Sequence, residues 1–117
     1  MVKLTQKEAQ SKQKYGIDMK VYPMTNKKIG LVYIDVKAGH FEEFFHKKST
    51  FTYYVLEGKG EFYLNGKKIK VKATDVVTIP PKTKIYYLGK MKLILITTPA
   101  WEYKHEVHVR NIKQNKK

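Results

Sequence analysis

Residues 53–62, Tyr-Tyr-Val-Leu-Glu-Gly-Lys-Gly-Glu-Phe, are the most informative segment of this sequence for its fold. Aromatic and β-branched residues stand on both sides of a Gly-Lys-Gly segment, a pattern typical of short β-strands bounded by glycine. Asn65-Gly66 follows at once, and both residues tolerate positive φ, so a type I′ hairpin is predicted there. Ile69 and Val71 then alternate with lysines, which indicates a strand with one solvated face.

The same strand pattern recurs on both sides of this segment, and no helical pattern lies between the strands. Even spacing of about ten short strands predicts an antiparallel sandwich or barrel. The predicted strands are Met19–Tyr22, Ile29–Val36, Phe41–His46, Thr52–Glu57, Gly60–Leu64, Lys67–Val71, Val76–Ile79, Lys84–Leu88, Met91–Thr97 and His105–Arg110.

A short helix is predicted at the N-terminus, over Thr5 to Lys14. Thr5 and Glu8 have the spacing of a capping box, and Gly16 is a suitable stop.

Length and composition favour one domain over residues 1–117, with a barrel core over about 18–110 and a polar tail over 111–117. The absence of cysteine excludes disulfides, thiolate catalysis and cysteine-ligated zinc. No apolar run approaches the roughly 20 residues that cross a bilayer, and the first residues lack the apolar stretch of a signal peptide. We therefore expect a cytoplasmic protein without a membrane partner.

The formal net charge is +14, and Arg110 is the single arginine among 24 basic residues. Proteins that read nucleic acid usually depend on arginine, whose planar fork pairs with phosphate and guanine. Nucleic acid is therefore not an expected partner. The lysine excess indicates either a solvated surface or a preference for anionic ligands.

Three segments resemble the cupin superfamily. Residues 53–62 resemble its first motif, residues 75–83 (Asp-Val-Val-Thr-Ile-Pro-Pro-Lys-Thr) its second, and residues 95–101 are similar to the closing strand of small single-domain cupins. The resemblance covers roughly residues 29–110. It implies an all-β, antiparallel jelly-roll (cupin) barrel with a pocket at one mouth.

The resemblance also implies where a metal would be held, and most of those positions lack a donor atom. They fall on Phe44, His46, Phe51 and Ile85, of which only His46 offers a ligand. Transition metals need three or four converging nitrogen or oxygen donors. We therefore expect no metal at the usual position and no cofactor. A different site, with His40 and Glu42 joined by His105 or His108, stays open.

The alternation of side chains along the strands predicts the pocket lining. If His46 faces inward, the same face carries His40, Glu42, Phe44, Phe51, Tyr53, Ile85 and Tyr87. Trp101 is expected either to seal the barrel or to stack on a ligand. Each of these residues also has a structural interpretation; His46, for example, can simply hydrogen-bond a tyrosine.

Three functions fit this pocket. The first is binding of a small polar, anionic, carbohydrate-like ligand, such as a sugar phosphate or nucleotide sugar, without the usual metal. The second is a metal-independent sugar or keto-acid isomerase or epimerase, with His46 as base and Tyr53 or Tyr87 as acid. The third is a metal-dependent cupin with a non-standard ligand set. The residues expected to contact a ligand are His40, Glu42, Phe44, Phe51, Ile85 and Trp101.

A homodimer is expected, because an exposed edge strand invites pairing with another chain. Met19–Tyr22, which is followed by Pro23, has the character of such an edge.

Overall fold

A computed structural model describes residues 3–114 and contains almost only β-structure. Two single 3₁₀ turns, Gln6–Glu8 and Tyr103–His105, accompany the strands. The strands are β1 (Gln10–Lys14), β2 (Ile17–Tyr22), β3 (Gly30–Val36), β4 (Gly39–His46), β5 (Thr50–Leu64), β6 (Lys67–Lys72), β7 (Val76–Ile79), β8 (Ile85–Leu88), β9 (Met91–Thr98) and β10 (Glu106–Asn111).

All strand pairs are antiparallel, and the strands form a curled sheet in the order β1-β2-β3-β9-β5-β8-β4-β10. Strands β6 and β7 both add to β5. The predicted antiparallel jelly-roll architecture is confirmed.

Strand β5 joins the two halves of the barrel, where the sequence predicted two separate strands. Its first part pairs with β7 and β9, and its second part pairs with β6 and β8. The transition lies at Gly58, which has a φ of +88°. A Cβ at Gly58 would lie 2.1 Å from the carbonyl oxygen of Lys90, so only glycine fits here.

The predicted hairpin at Asn65-Gly66 is confirmed. Both residues have positive φ, at 50° and 82°, and they join β5 to β6 in continuous register. The chemistry of this turn was strong enough to be recognised from the sequence.

The predicted helix over Thr5 to Lys14 is wrong. The capping interaction exists, since Glu8 accepts the backbone N–H of Thr5, but it closes only one 3₁₀ turn. The chain then turns at Tyr15-Gly16, where both residues have positive φ, and Gln10–Lys14 pairs with β2 along its whole length. Pairing with a neighbouring strand outweighs the local helix signal.

Met19–Tyr22 is not the edge strand that the sequence predicted. It belongs to β2, which lies between β1 and β3. Within residues 3–114, the path of paired strands ends at β1 on one side and at β10 on the other. Strand β1 is rich in lysine.

The side chains on the inner faces of the strands form one core. Five residues on these strands, Tyr53, Val55, Ile79, Ile85 and Leu95, are each no more than 6% exposed. Along the described residues, no helix is long and apolar enough to cross a membrane.

Candidate functional site

A cavity of about 40 Å³ lies inside the barrel, lined by residues of β1 to β5, β8, β9 and β10 and by Trp101. This volume is enough for about three water molecules. Most of the lining is apolar, with a few polar groups. The lining residues are Lys12, Lys14, Ile17, Met19, Val21, Val32, Ile34, His40, Phe44, Phe51, Tyr53, Tyr87, Leu95, Trp101 and Glu106.

His40 is a buried, neutral histidine, and one of its ring nitrogens has no hydrogen-bond partner among residues 3–114. Its Nδ1 lies 3.0 Å from the backbone carbonyl oxygen of Glu42. Because a carbonyl can only accept, Nδ1 carries the hydrogen and Nε2 keeps its lone pair. Burial, reinforced by the positive charge of Lys14, lowers the pKa of His40 to about 3. The imidazole is therefore an unprotonated base over the whole physiological pH range.

Tyr53 and Tyr87 bring two phenol groups to the same cavity. Their ring centroids lie 5.6 Å apart, and the centroid of His40 lies 5.3 Å from that of Tyr87. Burial raises the pKa of both hydroxyls, so both stay protonated. The Tyr87 hydroxyl is buried and finds no hydrogen-bond partner among residues 3–114. A buried hydroxyl without a partner is costly, and a ligand atom in the cavity would satisfy it.

Charged groups stand where the cavity meets β1 and β10. Nζ of Lys14 lies 2.6 Å from Oε2 of Glu106, and Oε1 of Glu106 accepts the indole N–H of Trp101 at 2.8 Å. Nζ of Lys12 lies 5.2 Å from the centre of the Trp101 ring. In the part of the chain that the structure describes, Lys12 forms no ion pair.

His46 is buried, but both of its ring nitrogens already form hydrogen bonds with backbone groups. Nδ1 accepts the N–H of Ser49 at 2.9 Å and of Lys48 at 3.2 Å, and Nε2 lies 3.2 Å from the carbonyl oxygen of Glu102. Burial lowers the pKa of His46, so it too is neutral. It holds the end of β4 to two loops and does not line the cavity. Its role as a base stays a prediction that this geometry does not favour.

The other predicted lining residues divide into two groups. His40, Phe44, Phe51, Tyr53, Tyr87 and Trp101 do line the cavity. Glu42 and Ile85 are buried but lie outside its lining. Glu42 lies in the stretch between His40 and Phe44 where the pairing of β4 with β8 is interrupted, so simple alternation along β4 does not hold there.

The residues at the usual cupin metal positions do not fit a metal ion. Phe44, Phe51 and Ile85 are all at most 3% exposed and carry no donor atom. The remaining position, His46, has both nitrogens in backbone hydrogen bonds. The alternative set around His40 and Glu42 does not converge either, and no group of three potential ligands lies close together anywhere in residues 3–114.

Sequence reasoning missed Lys12, Lys14 and Glu106 as lining residues. The two lysines lay in the segment assigned to a helix, and their spacing of two places both on one face of β1. Glu106 carried no signal, because nothing in the sequence shows that β10 returns beside β4.

Comparisons with known proteins agree with this fold. The family model for the cupin domain matches residues 30–93, which is more than half of the chain. The structure of the Streptomyces protein Pac13, described as a unique nucleoside dehydratase, is 42% identical, covers 97% of this chain and 94% of its own, and superimposes with a TM-score of 0.93. A Pac13 variant in complex with uridine, with a histidine replaced by glutamine, is 41% identical, covers 97% of this chain and 94% of its own, and gives a TM-score of 0.94. Two further uridine complexes carry single tyrosine-to-phenylalanine substitutions.

Two curated relatives are uncharacterized proteins. One, from Methanocaldococcus jannaschii, is 40% identical over 63 residues, which is 52% of this chain and 50% of the relative. The other, from Aquifex aeolicus, is 35% identical over 68 residues, which is 56% of each chain. The chain thus spans about half the length of the curated relatives it matches. Because the cupin model covers most of the barrel and the barrel itself has the expected topology, the chain belongs to the cupin family.

Proposed function

We propose that this protein removes water from a nucleoside by acid–base catalysis, with His40 as the base and Tyr53 and Tyr87 as proton-bearing groups. One observation carries this proposal. The histidine and the two tyrosines substituted in the uridine complexes of Pac13 are separated along that chain by 13 and 34 residues. His40, Tyr53 and Tyr87 have the same separations and lie in one cavity.

The protonation states suit an elimination. His40 offers a free lone pair at Nε2, and the two tyrosines keep their hydrogens because burial disfavours their ionised forms. Proton transfer requires an unprotonated base and a protonated acid in the same pocket.

The step balances without a cofactor. Nε2 of His40 takes a proton from carbon, a carbon–carbon double bond forms, and the bond to the departing hydroxyl breaks. The hydroxyl leaves as water after receiving a proton from a tyrosine, which regains it from His40. No electron is gained or lost.

The low pKa of His40 constrains the substrate. An imidazolium in this cavity is unstable, because it is buried and lies near Lys14. The transfer therefore needs negative charge to develop beside it, as it does when the carbon lies next to a carbonyl group and an enolate forms. The protonated tyrosines and Lys14 are placed to stabilise such an oxygen.

The ligand class proposed from the sequence narrows to a nucleoside. The cavity of about 40 Å³ holds only the reacting part of such a molecule, so the remainder extends to the mouth beside Trp101 and Lys12. The cavity lining contains two lysines, Lys12 and Lys14, but only one carboxylate, that of Glu106. This excess of positive charge favours a ligand with an anionic substituent. The sugar-phosphate part of the expectation stays a prediction.

We also propose a homodimer, formed through the outer face of the sheet. One row of side chains crosses four strands of this face. Tyr54 pairs in register with Val76 on one side and with Ile94 on the other, and Ile94 pairs in turn with Tyr33. Three large apolar side chains on this face, Tyr54, Leu56 and Val76, are 37–58% exposed. An apolar row of this size on a chain of charge +14 favours association with a like surface, although overall repulsion opposes it. Sedimentation at low and high salt tests this, and a monomer at both would refute it.

The dehydratase proposal is tested in two steps. Calorimetric titration with uridine is expected to give saturable binding, and ribose alone is expected to bind more weakly. Incubation with nucleosides, and with forms that carry a carbonyl group, is then followed by mass spectrometry. A product lighter by one water supports dehydration. A product of unchanged mass that incorporates deuterium from D₂O would favour the isomerase alternative, and no binding of any nucleoside would refute both.

A further inference from the structure

We propose that Glu42 and His108 are positioning residues for His40, acting from behind the pocket. This inference rests on the proposed role of His40 as the base. Neither side chain lines the cavity. The backbone carbonyl of Glu42 fixes the tautomer of His40, and His108 holds the side chain of Glu42 through a hydrogen bond.

The connection begins at an irregularity in β4. His40 pairs with Tyr87 and Phe44 pairs with Ile85, but the register shifts between them, so Glu42 has no register partner on β8. Its backbone carbonyl accepts Nδ1–H of His40 at 3.0 Å. The orientation of this one peptide group therefore decides which nitrogen of His40 keeps its lone pair.

The side chain of Glu42 is itself held in place. The side chain is about 5% exposed, and Oε2 lies 2.8 Å from Nδ1 of His108 on β10. Oε1 has no hydrogen-bond partner within residues 3–114 and lies 3.7 Å from Nζ of Lys14. The contact with His108 is thus the main restraint on a buried carboxylate in an irregular stretch of strand.

Tyr15 joins the same two histidines by stacking. Its ring centroid lies 6.3 Å from His40 and 6.1 Å from His108, with interplanar angles of 20° and 24°. The backbone of Tyr15 accepts the N–H of Phe41 at 2.7 Å, which fixes the β1–β2 turn against β4. His108 therefore reaches His40 by two routes, through Glu42 and through the Tyr15 ring.

The neighbouring pair provides a matched control. Glu43 is as buried as Glu42, and its Oε1 accepts Nε–H of Arg110 at 2.8 Å, also across the β4–β10 pairing. Neither Glu43 nor Arg110 is among the residues that line the cavity. Breaking this pair removes a side-chain hydrogen bond of the same length between the same two strands without disturbing the base.

The test compares His108→Ala, Glu42→Ala, Arg110→Ala and the conservative His108→Asn, whose amide can donate from nearly the same position as Nδ1. The His108 side chain is 46% exposed, so its replacement leaves no core cavity. Nitrogen-15 NMR of the imidazoles reports the tautomer of His40. Turnover and uridine binding are measured on the same samples.

We expect His108→Ala and Glu42→Ala to convert the single Nδ1–H tautomer of His40 into a mixture. We also expect kcat to fall at least about tenfold, with the uridine Kd changed less than about twofold. His108→Asn is expected to restore both values, and Arg110→Ala to alter neither.

An unchanged tautomer in His108→Ala, or an equal loss of kcat in Arg110→Ala, would overturn the inference. The NMR result decides it even if the protein dehydrates no nucleoside, so failure of the proposed function is recognised separately.

Discussion

His40 and Tyr87 face each other as register partners across β4 and β8, with ring centroids 5.3 Å apart. One presents an unprotonated nitrogen, and the other a protonated hydroxyl that lacks a partner among residues 3–114. A buried proton acceptor and a buried proton donor that line the same cavity indicate a functional site more strongly than either residue does alone.

Replacing Tyr87 by phenylalanine is expected to remove activity without loss of stability. The hydroxyl makes no hydrogen bond within the described chain, so its removal leaves no stranded partner and should stabilise the fold by about 0–1 kcal/mol. Turnover should fall by about 100-fold. Denaturant melts and kinetics of Tyr87→Phe, beside the outward-facing Tyr86→Phe as control, check this. Equal activity of the two variants would contradict the assignment.

His46→Ala is expected to destabilise the protein and leave the chemistry of the folded fraction intact. The change strands the amides of Lys48 and Ser49 and the carbonyl of Glu102, at a cost of about 1–3 kcal/mol. Urea denaturation gives the free energy of unfolding, and kcat per folded molecule is measured alongside. A loss of turnover in fully folded protein would restore His46 as the base.

Stability should depend on pH through His40. The unfolded imidazole protonates below about pH 6.5, whereas burial holds the folded pKa near 3. The unfolded chain therefore binds the extra proton between these values, and this contribution to stability is complete above pH 6.5 and is lost as pH falls toward 3. It amounts to about 2 kcal/mol between pH 7 and pH 5.

The measurement is the free energy of unfolding of wild type and His40→Gln at both pH values. The variant should lose about 2 kcal/mol less than the wild type does on acidification. His46→Gln serves as the control, because it should keep the His40 contribution. Parallel pH curves for wild type and His40→Gln would show that His40 is not held neutral.

Lys12 is expected to favour a phosphorylated ligand. Its ammonium lies beside Trp101 at the cavity and has no carboxylate partner in residues 3–114, so a phosphate there would gain roughly a tenfold preference, about 1.4 kcal/mol. Titrations with uridine and its 2′-, 3′- and 5′-monophosphates test this in wild type and Lys12→Met. Lys68→Met, on the outer face of β6, controls for net charge. Equal affinity for uridine and all three phosphates would contradict it.

The fold could be predicted because its determinants are local. The Asn65-Gly66 turn and the alternating strands around it depend on residues close in sequence, and they were recognised correctly. The helix over Thr5 to Lys14 was predicted from equally local signals, but pairing with β2 decided that segment. Local propensity fails where a distant partner supplies the hydrogen bonds.

The candidate site was predicted only in part, for the same reason. Strand parity correctly directed Phe44, Phe51, Tyr53 and Tyr87 into the barrel. Strand alternation predicts the same orientation for His40 and His46, however. The two residues differ in the backbone groups that surround each ring. His46 is surrounded by loop amides and a carbonyl, whereas His40 keeps one nitrogen free. Those contacts come from tertiary structure and from an interrupted strand pairing.

The central claim, that Nε2 of His40 is the base of a dehydration, is tested most directly by His40→Gln. Glutamine can still donate to the Glu42 carbonyl but cannot accept a proton at neutral pH. The measurement is the mass-spectrometric yield of product lighter by one water, with uridine binding determined on the same preparation. We predict unchanged binding and a rate lowered by about 100- to 10,000-fold. Dehydration by His40→Gln at the wild-type rate would contradict the account.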